Sequence, residues 1–171
     1  MERPAYDLFR VDRTCCHGRV FRPRVPINNL TEFGREDSTT ERVCFATTIN
    51  GALSAVEADV GSTWYVHTPF ISRPRSMVPS EQQVPDMSVT SEVWVLQPVP
   101  LVCIGRIRVV DFCSATTDAL TLKDMLVTYR NFRYEWDPTF ETPPDPKPDG
   151  VTMSRWMAYY TWPPATREEP N

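Results

Sequence analysis

Glu92-Val93-Trp94-Val95-Leu96-Gln97-Pro98-Val99-Pro100 is the stretch on which the fold turns. A carboxylate stands at the mouth of an alternating apolar run, directly after a polar, proline-rich segment. Alternation at period two predicts a strand with Val93 and Val95 on one face and Glu92, Trp94 and Leu96 on the other. Downstream, residues 101–112 are apolar and β-branched but interrupted by Gly105, which predicts a long strand with a kink or bulge. Upstream, Arg42-Val43-Cys44-Phe45-Ala46 reads as a short strand. Thr47-Thr48-Ile49-Asn50 then offers capping oxygens to a helix over residues 51–57, where Ala52, Leu53 and Val56 share a face.

Further out, Trp64-Tyr65-Val66-His67-Thr68 predicts a strand stopped by Pro69, and residues 6–11 predict the first strand. Residues 15–41 form a long polar excursion with short strand pieces around Gly18 to Phe21. Residues 71–91 have no period and read as loop. Leu120, Leu122, Met125, Leu126 and Tyr129 fit a helix over residues 120–130. The expected fold class is α+β, a single mixed, mainly antiparallel sheet with a few short helices.

A chain of 171 residues suits one domain, and 17 prolines against 6 glycines favour short strands and extended connections. The expected division is an α+β domain over residues 1–136 and a proline-rich connection over residues 137–150. Residues 151–171 would dock back through Trp156, Tyr159, Tyr160 and Trp162 and end in a disordered tail. The net charge of -4 and pI of about 5.2 do not mark a nucleic-acid binder. Of the 18 basic residues only Lys123 and Lys147 are lysine, which fits either a GC-rich coding sequence or arginine forks that hold phosphate.

The five cysteines include no Cys-x-x-Cys pair, and Met1 is followed at once by Glu2-Arg3-Pro4. Reduced thiols in a cytoplasmic protein, or in host cytoplasm for an accessory protein of a bacterial virus, are therefore expected. No metal site is expected with only His17 and His67 to complete one, and Cys15-Cys16-His17 reads as a strand-end turn. No apolar run approaches the roughly 20 residues of a membrane span, so no membrane partner is expected. His17 and His67 are too isolated to propose a Ser/His/Asp triad, despite several candidate Ser and Asp residues, and glycine is too scarce for a phosphate-cradling loop.

Leu8-Phe9-Arg10, then Cys44-Phe45-Ala46-Thr47-Thr48, then Ser91-Glu92-Val93-Trp94-Val95-Leu96, in that order, resemble the ADP-ribosyltransferase fold. Members share an Arg or His on the first strand, a Ser/Thr motif leading from a middle strand into a helix, and a Glu near a late strand. The resemblance covers roughly residues 6–110 and implies NAD as a substrate, with ADP-ribose passed to an unknown protein or nucleic-acid acceptor. It implies that Glu92 is catalytic and holds a ribose hydroxyl while charge develops on the ribose. Arg10 would bind a phosphate or the nicotinamide-ribose side, Thr47 or Thr48 would shape the pocket, and Tyr65 would stack on the nicotinamide. Members that modify arginine place a second acid two positions before the Glu, and here that position is Thr90.

Each residue also has an ordinary reading. Glu92 suits a solvated strand end, Arg10 a surface ion pair, the threonines a helix cap, and Tyr65 a packed aromatic. The alternative function is a non-catalytic module that binds a nucleotide or a protein.

Overall fold

The computed structural model describes residues 7–32, 34–71, 74–115, 121–122, 125–126 and 129–143. In chain order the elements begin with β1 (Arg10–Asp12), β2 (Val20–Phe21), α1 (Asn29–Glu32), β3 (Val43–Ala46), α2 (Ile49–Ala55) and β4 (Thr63–Pro69). There follow β5 (Ser76–Met77), α3 (Met87–Thr90), β6 (Glu92–Val95), β7 (Val99–Ala115), β8 (Thr121–Leu122), β9 (Met125–Leu126) and β10 (Tyr129–Trp136). Expectations for residues 144–171, the docking aromatic segment included, lie outside the described residues.

The class is α+β with antiparallel strands and few short helices, but the strands do not form the single mixed sheet expected. They make a five-stranded sheet of order β1-β4-β7-β10 with β2 on β7, a three-stranded sheet β3-β6-β5, and the pair β8-β9. Every ladder among the described residues is antiparallel. The division falls inside the stretch that opened the sequence reading. Leu96, Gln97 and Pro98 separate β6, which joins the small sheet, from β7, which joins the large one.

The 17 residues of β7 serve three partners along their length: β2 at the start, β4 through the first half, and β10 through the second. Val66 faces Gly105 and His67 faces Cys103, so Ile104 is the extra residue of a bulge. Gly105 is needed there, because a methyl group on it would overlap the Trp136 ring.

Residues 120–130 do not form the expected helix: the described ones pair as β8 with β9, or start β10. The helical spacing there is too short to hold a helix unaided, and Tyr129 onward is captured by β7. The stretch read as loop contains β5 and α3.

The core has two parts. One packs Leu53 of α2 on Val11, Trp64, Val66, Ile107 and Val109 of the large sheet. The other gathers Leu8, Val43, Phe45, Val93, Val95 and Leu101 between the small sheet and the start of β7. Trp94, on the opposite face of β6, is also fully buried, with the Arg42 guanidinium 4.1 Å from its ring centre. That strand is therefore buried on both faces, one of them closed by a guanidinium rather than by apolar side chains.

Candidate functional site

A cavity of about 500 Å³ opens beside β1, walled by Arg10, Cys44, Trp64, Asp86, Glu36 and Glu92 among others. The sheets bring its two key walls together through one residue. Phe9 exchanges both backbone hydrogen bonds with Ala46, each at 2.8 Å, and Ala46 pairs with Glu92 across β3 and β6.

Arg10 is held in place from its own strand. Its Nε donates to Asp12 Oδ2 at 3.1 Å, and Asp12 sits two residues on, on the same face. Its Nη1 reaches the Cys44 carbonyl at 3.5 Å, and its guanidinium lies 4.8 Å from the Phe21 ring centre.

Glu92 sits at the start of β6 and is partly buried. Trp94 Nε1 donates to its Oε1 at 2.7 Å. Burial pushes its carboxyl above the usual range, the hydrogen bonds from Cys44 and Trp94 pull it back, and nearby Glu36 and Asp86 push it further up. Burial raises the Asp86 carboxyl as well, with Glu36 and Glu57 adding to it. Burial and the adjacent Glu92 carboxylate drive the Cys44 thiol far up. Glu36 is ion-paired with the fully buried Arg42, which also lies 3.7 Å from Asp37 Oδ1.

Thr47 and Thr48 stand behind Glu92 and do not wall the cavity. The Thr47 amide donates to the Ser91 carbonyl at 3.0 Å, while Thr48 Oγ1 accepts the Gly51 amide at 2.9 Å and so caps α2. Ser91, between α3 and Glu92, is left-handed at φ 48°. Gly51 fits against it because any side chain there would overlap the Thr90 carbonyl and the Ser91 hydroxyl. The threonine pair thus positions the turn from which Glu92 projects.

Tyr65 lies elsewhere. It packs edge-on against Phe140, with ring centres 5.5 Å apart, and the Arg106 guanidinium is 5.8 Å from its ring. The structure therefore brings Arg10 and Glu92 to one cavity, sets Thr47 and Thr48 behind it, and leaves Tyr65 on a separate patch. The sequence reading missed Asp12, Asp86 and Cys44. The first was visible as the same-face neighbour of Arg10; Asp86 had no sequence signal.

A second cluster brings together residues that are distant in the chain. His67 Nε2 accepts the Cys16 amide at 2.9 Å, and His17 Nδ1 accepts the Cys103 amide at 3.0 Å. Cys15-Cys16-His17 is thus docked on β4 and β7, beyond the simple strand-end turn expected. His67 Nδ1 lies 3.3 Å from Asp12 Oδ2, but the angle is too poor for a full hydrogen bond. One ligand atom from each of Cys15, His67 and Cys103 falls within 4.8 Å of the others. With Nε2 engaged by an amide, this imidazole has no lone pair left for a metal, because its proton must sit on Nδ1.

Among the described residues no helix is long and apolar enough to cross a membrane. Comparison of the chain with protein-family models, curated proteins and solved structures finds no match.

Proposed function

We propose that the cavity beside β1 binds NAD and that the protein is an ADP-ribosyltransferase-like enzyme with Glu92 as its catalytic carboxylate. The observation that carries this reading is the presence of Arg10 and Glu92 on the walls of one cavity. Its volume of about 500 Å³ falls in the range of small-molecule and cofactor sites. Breaking the nicotinamide–ribose bond develops positive charge on the ribose, and a fixed carboxylate stabilises that charge more than it stabilises the substrate. Arg10 brings a positive charge to the wall, but its Nε and Nη2 are turned on Asp12 and its Nη1 on the Cys44 carbonyl, so a phosphate would have to displace Asp12 to take the fork.

Antiparallel pairing adds a further recognition element. Phe9 turns its amide and carbonyl away from β4 toward Ala46, so Val11, two residues on, turns its own pair to the same side, where it walls the cavity. A carboxamide carries the matching donor and acceptor. Thr90, in place of a second acid, leaves the acceptor open between a protein and a nucleic acid.

The test is release of nicotinamide from NAD, which needs no knowledge of the acceptor, together with NAD titration. Glu92→Gln is expected to abolish release and keep binding. Equal release by this variant would remove Glu92 from the mechanism.

The second reading, a non-catalytic nucleotide-binding module, is favoured by one observation. The surroundings of Glu92 push it toward its neutral form, which cannot stabilise a cation. NAD binding with no nicotinamide release by the unmodified protein would establish that reading.

A further inference from the structure

Residues 13–19 form a strap across the middle of the large sheet, and four hydrogen bonds to β4 and β7 hold it there. Beside the two imidazole contacts, the Gly18 amide donates to the Leu101 carbonyl at 2.8 Å, and the Leu101 amide donates to the Arg19 carbonyl at 2.9 Å. The strap sets the exposed Cys15 over the buried Cys103, and their sulfur atoms lie within 4.8 Å of each other. Neither cysteine belongs to the cavity walled by Arg10 and Glu92.

We propose that Cys15 and Cys103 are a redox modification site, a thiol pair that closes into an intramolecular disulfide when a peroxide oxidises Cys15. In the first step the Cys15 sulfur attacks one peroxide oxygen. The O–O bond breaks, Cys15 becomes a sulfenic acid, and the other oxygen leaves as water with the thiol proton. In the second step the Cys103 sulfur attacks the Cys15 sulfur. The S–S bond forms, the S–O bond breaks, and the hydroxyl leaves as water with the Cys103 proton.

The order follows from the setting. Cys15 faces solvent, whereas burial pushes the Cys103 thiol up to about 12 and keeps it from reacting first. Closing the gap to a bond of about 2 Å requires rotation of an exposed side chain in a turn. The ring so formed encloses β3, α2, β4 and β6, and the strap begins at Arg13, a cavity wall. Oxidation therefore ties one rim of the cavity covalently to the central strand.

The test treats the full chain with hydrogen peroxide, blocks remaining thiols, and maps cross-linked peptides by mass spectrometry without reduction. The expected product is a Cys15–Cys103 link, lost on reduction and accompanied by a melting-temperature rise on the order of 5 °C. Cys15→Ser, a change at an exposed position, is expected to give no link. Cys103→Ser is expected to leave a sulfenic acid on Cys15 that dimedone traps. A bridge from Cys15 to Cys16, to Cys113 or to a second chain, or a Cys15 sulfenic acid that persists in the unmodified protein, would overturn the proposal. So would absence of oxidation, or a retained zinc ion shielding both thiols from alkylation.

Discussion

Glu92 is placed where its own charge is disfavoured. Its carboxyl has a raised pKa from burial, reinforced by Glu36 and Asp86, so the folded protein holds that proton more tightly than the unfolded chain does. Stability from this group is therefore lost as pH rises through the window above the ordinary carboxylate value. Glu92→Gln keeps an oxygen for Trp94 Nε1 and removes the charge. We expect it to raise the melting temperature at pH 7 and to lose that advantage toward pH 4, as followed by thermal unfolding across pH. A carboxylate whose charge stabilises the fold would give the opposite sign at neutral pH. Arg42 is the contrasting case. It is fully buried, paired with Glu36 and stacked on Trp94, so Arg42→Ala strands a buried carboxylate. The expected loss is about 3–5 kcal/mol in denaturant unfolding, partly recovered by adding Glu36→Gln. Sequence reading singled out Arg10 and Glu92 because their residue types and strand positions are local facts, and the structure sets both on one cavity wall. It could not find Arg42, Glu36 and Asp86, whose partners come from distant turns.

Among the elements, the junction of α2 with the end of α3 fixes the turn from which Glu92 projects. Thr48 was legible as a cap because capping is written in a few adjacent residues. The close approach of Gly51 to Thr90 was not, because it joins segments 39 residues apart (90 − 51). Gly51→Ala is expected to push α3 and Ser91 away. The cost is about 1–3 kcal/mol in chemical unfolding, with weakened NAD binding if Glu92 acts as proposed. The strand read around residues 92–96 and the long one beyond it are present because alternation and β-branching are short-range signals. The reading of residues 120–130 as a helix failed for the converse reason. Helical spacing over so few residues is outweighed by pairing with β7. Nor could residue pattern show that β6 and β7, neighbours in the chain, would join different sheets.

At the scale of the whole molecule, opposed carboxyl shifts set the response to pH. Asp12 is lowered despite burial, by the nearby His67 and by the hydrogen bonds and charge of Arg10; Asp37 is lowered by the Thr40 and Thr39 amides. Asp137 is lowered to about 2 by Thr139 and Arg106. These groups contribute stability above the ordinary carboxylate value and lose it as pH falls through their folded values. Glu92 and Asp86 act in the opposite sense as pH rises. Melting temperature is therefore expected to peak on the acid side of neutrality and to fall on both flanks. A plateau through pH 8 would show that the raised pair does not govern the upper flank.

The residues flanking and ending β3 join it to the rest of the fold: Arg42 bridges to Arg24, and Ala46 bridges to Phe9. Between these points, among the described residues, Cys44 makes no backbone pair with β1, and Arg10 reaches across to its carbonyl. A ladder fastened at both ends cannot slide, yet it keeps a doorway whose frame is backbone. If the cavity binds a ligand as proposed, replacing Arg10 or Cys44 is expected to change its affinity while the two backbone bridges stay.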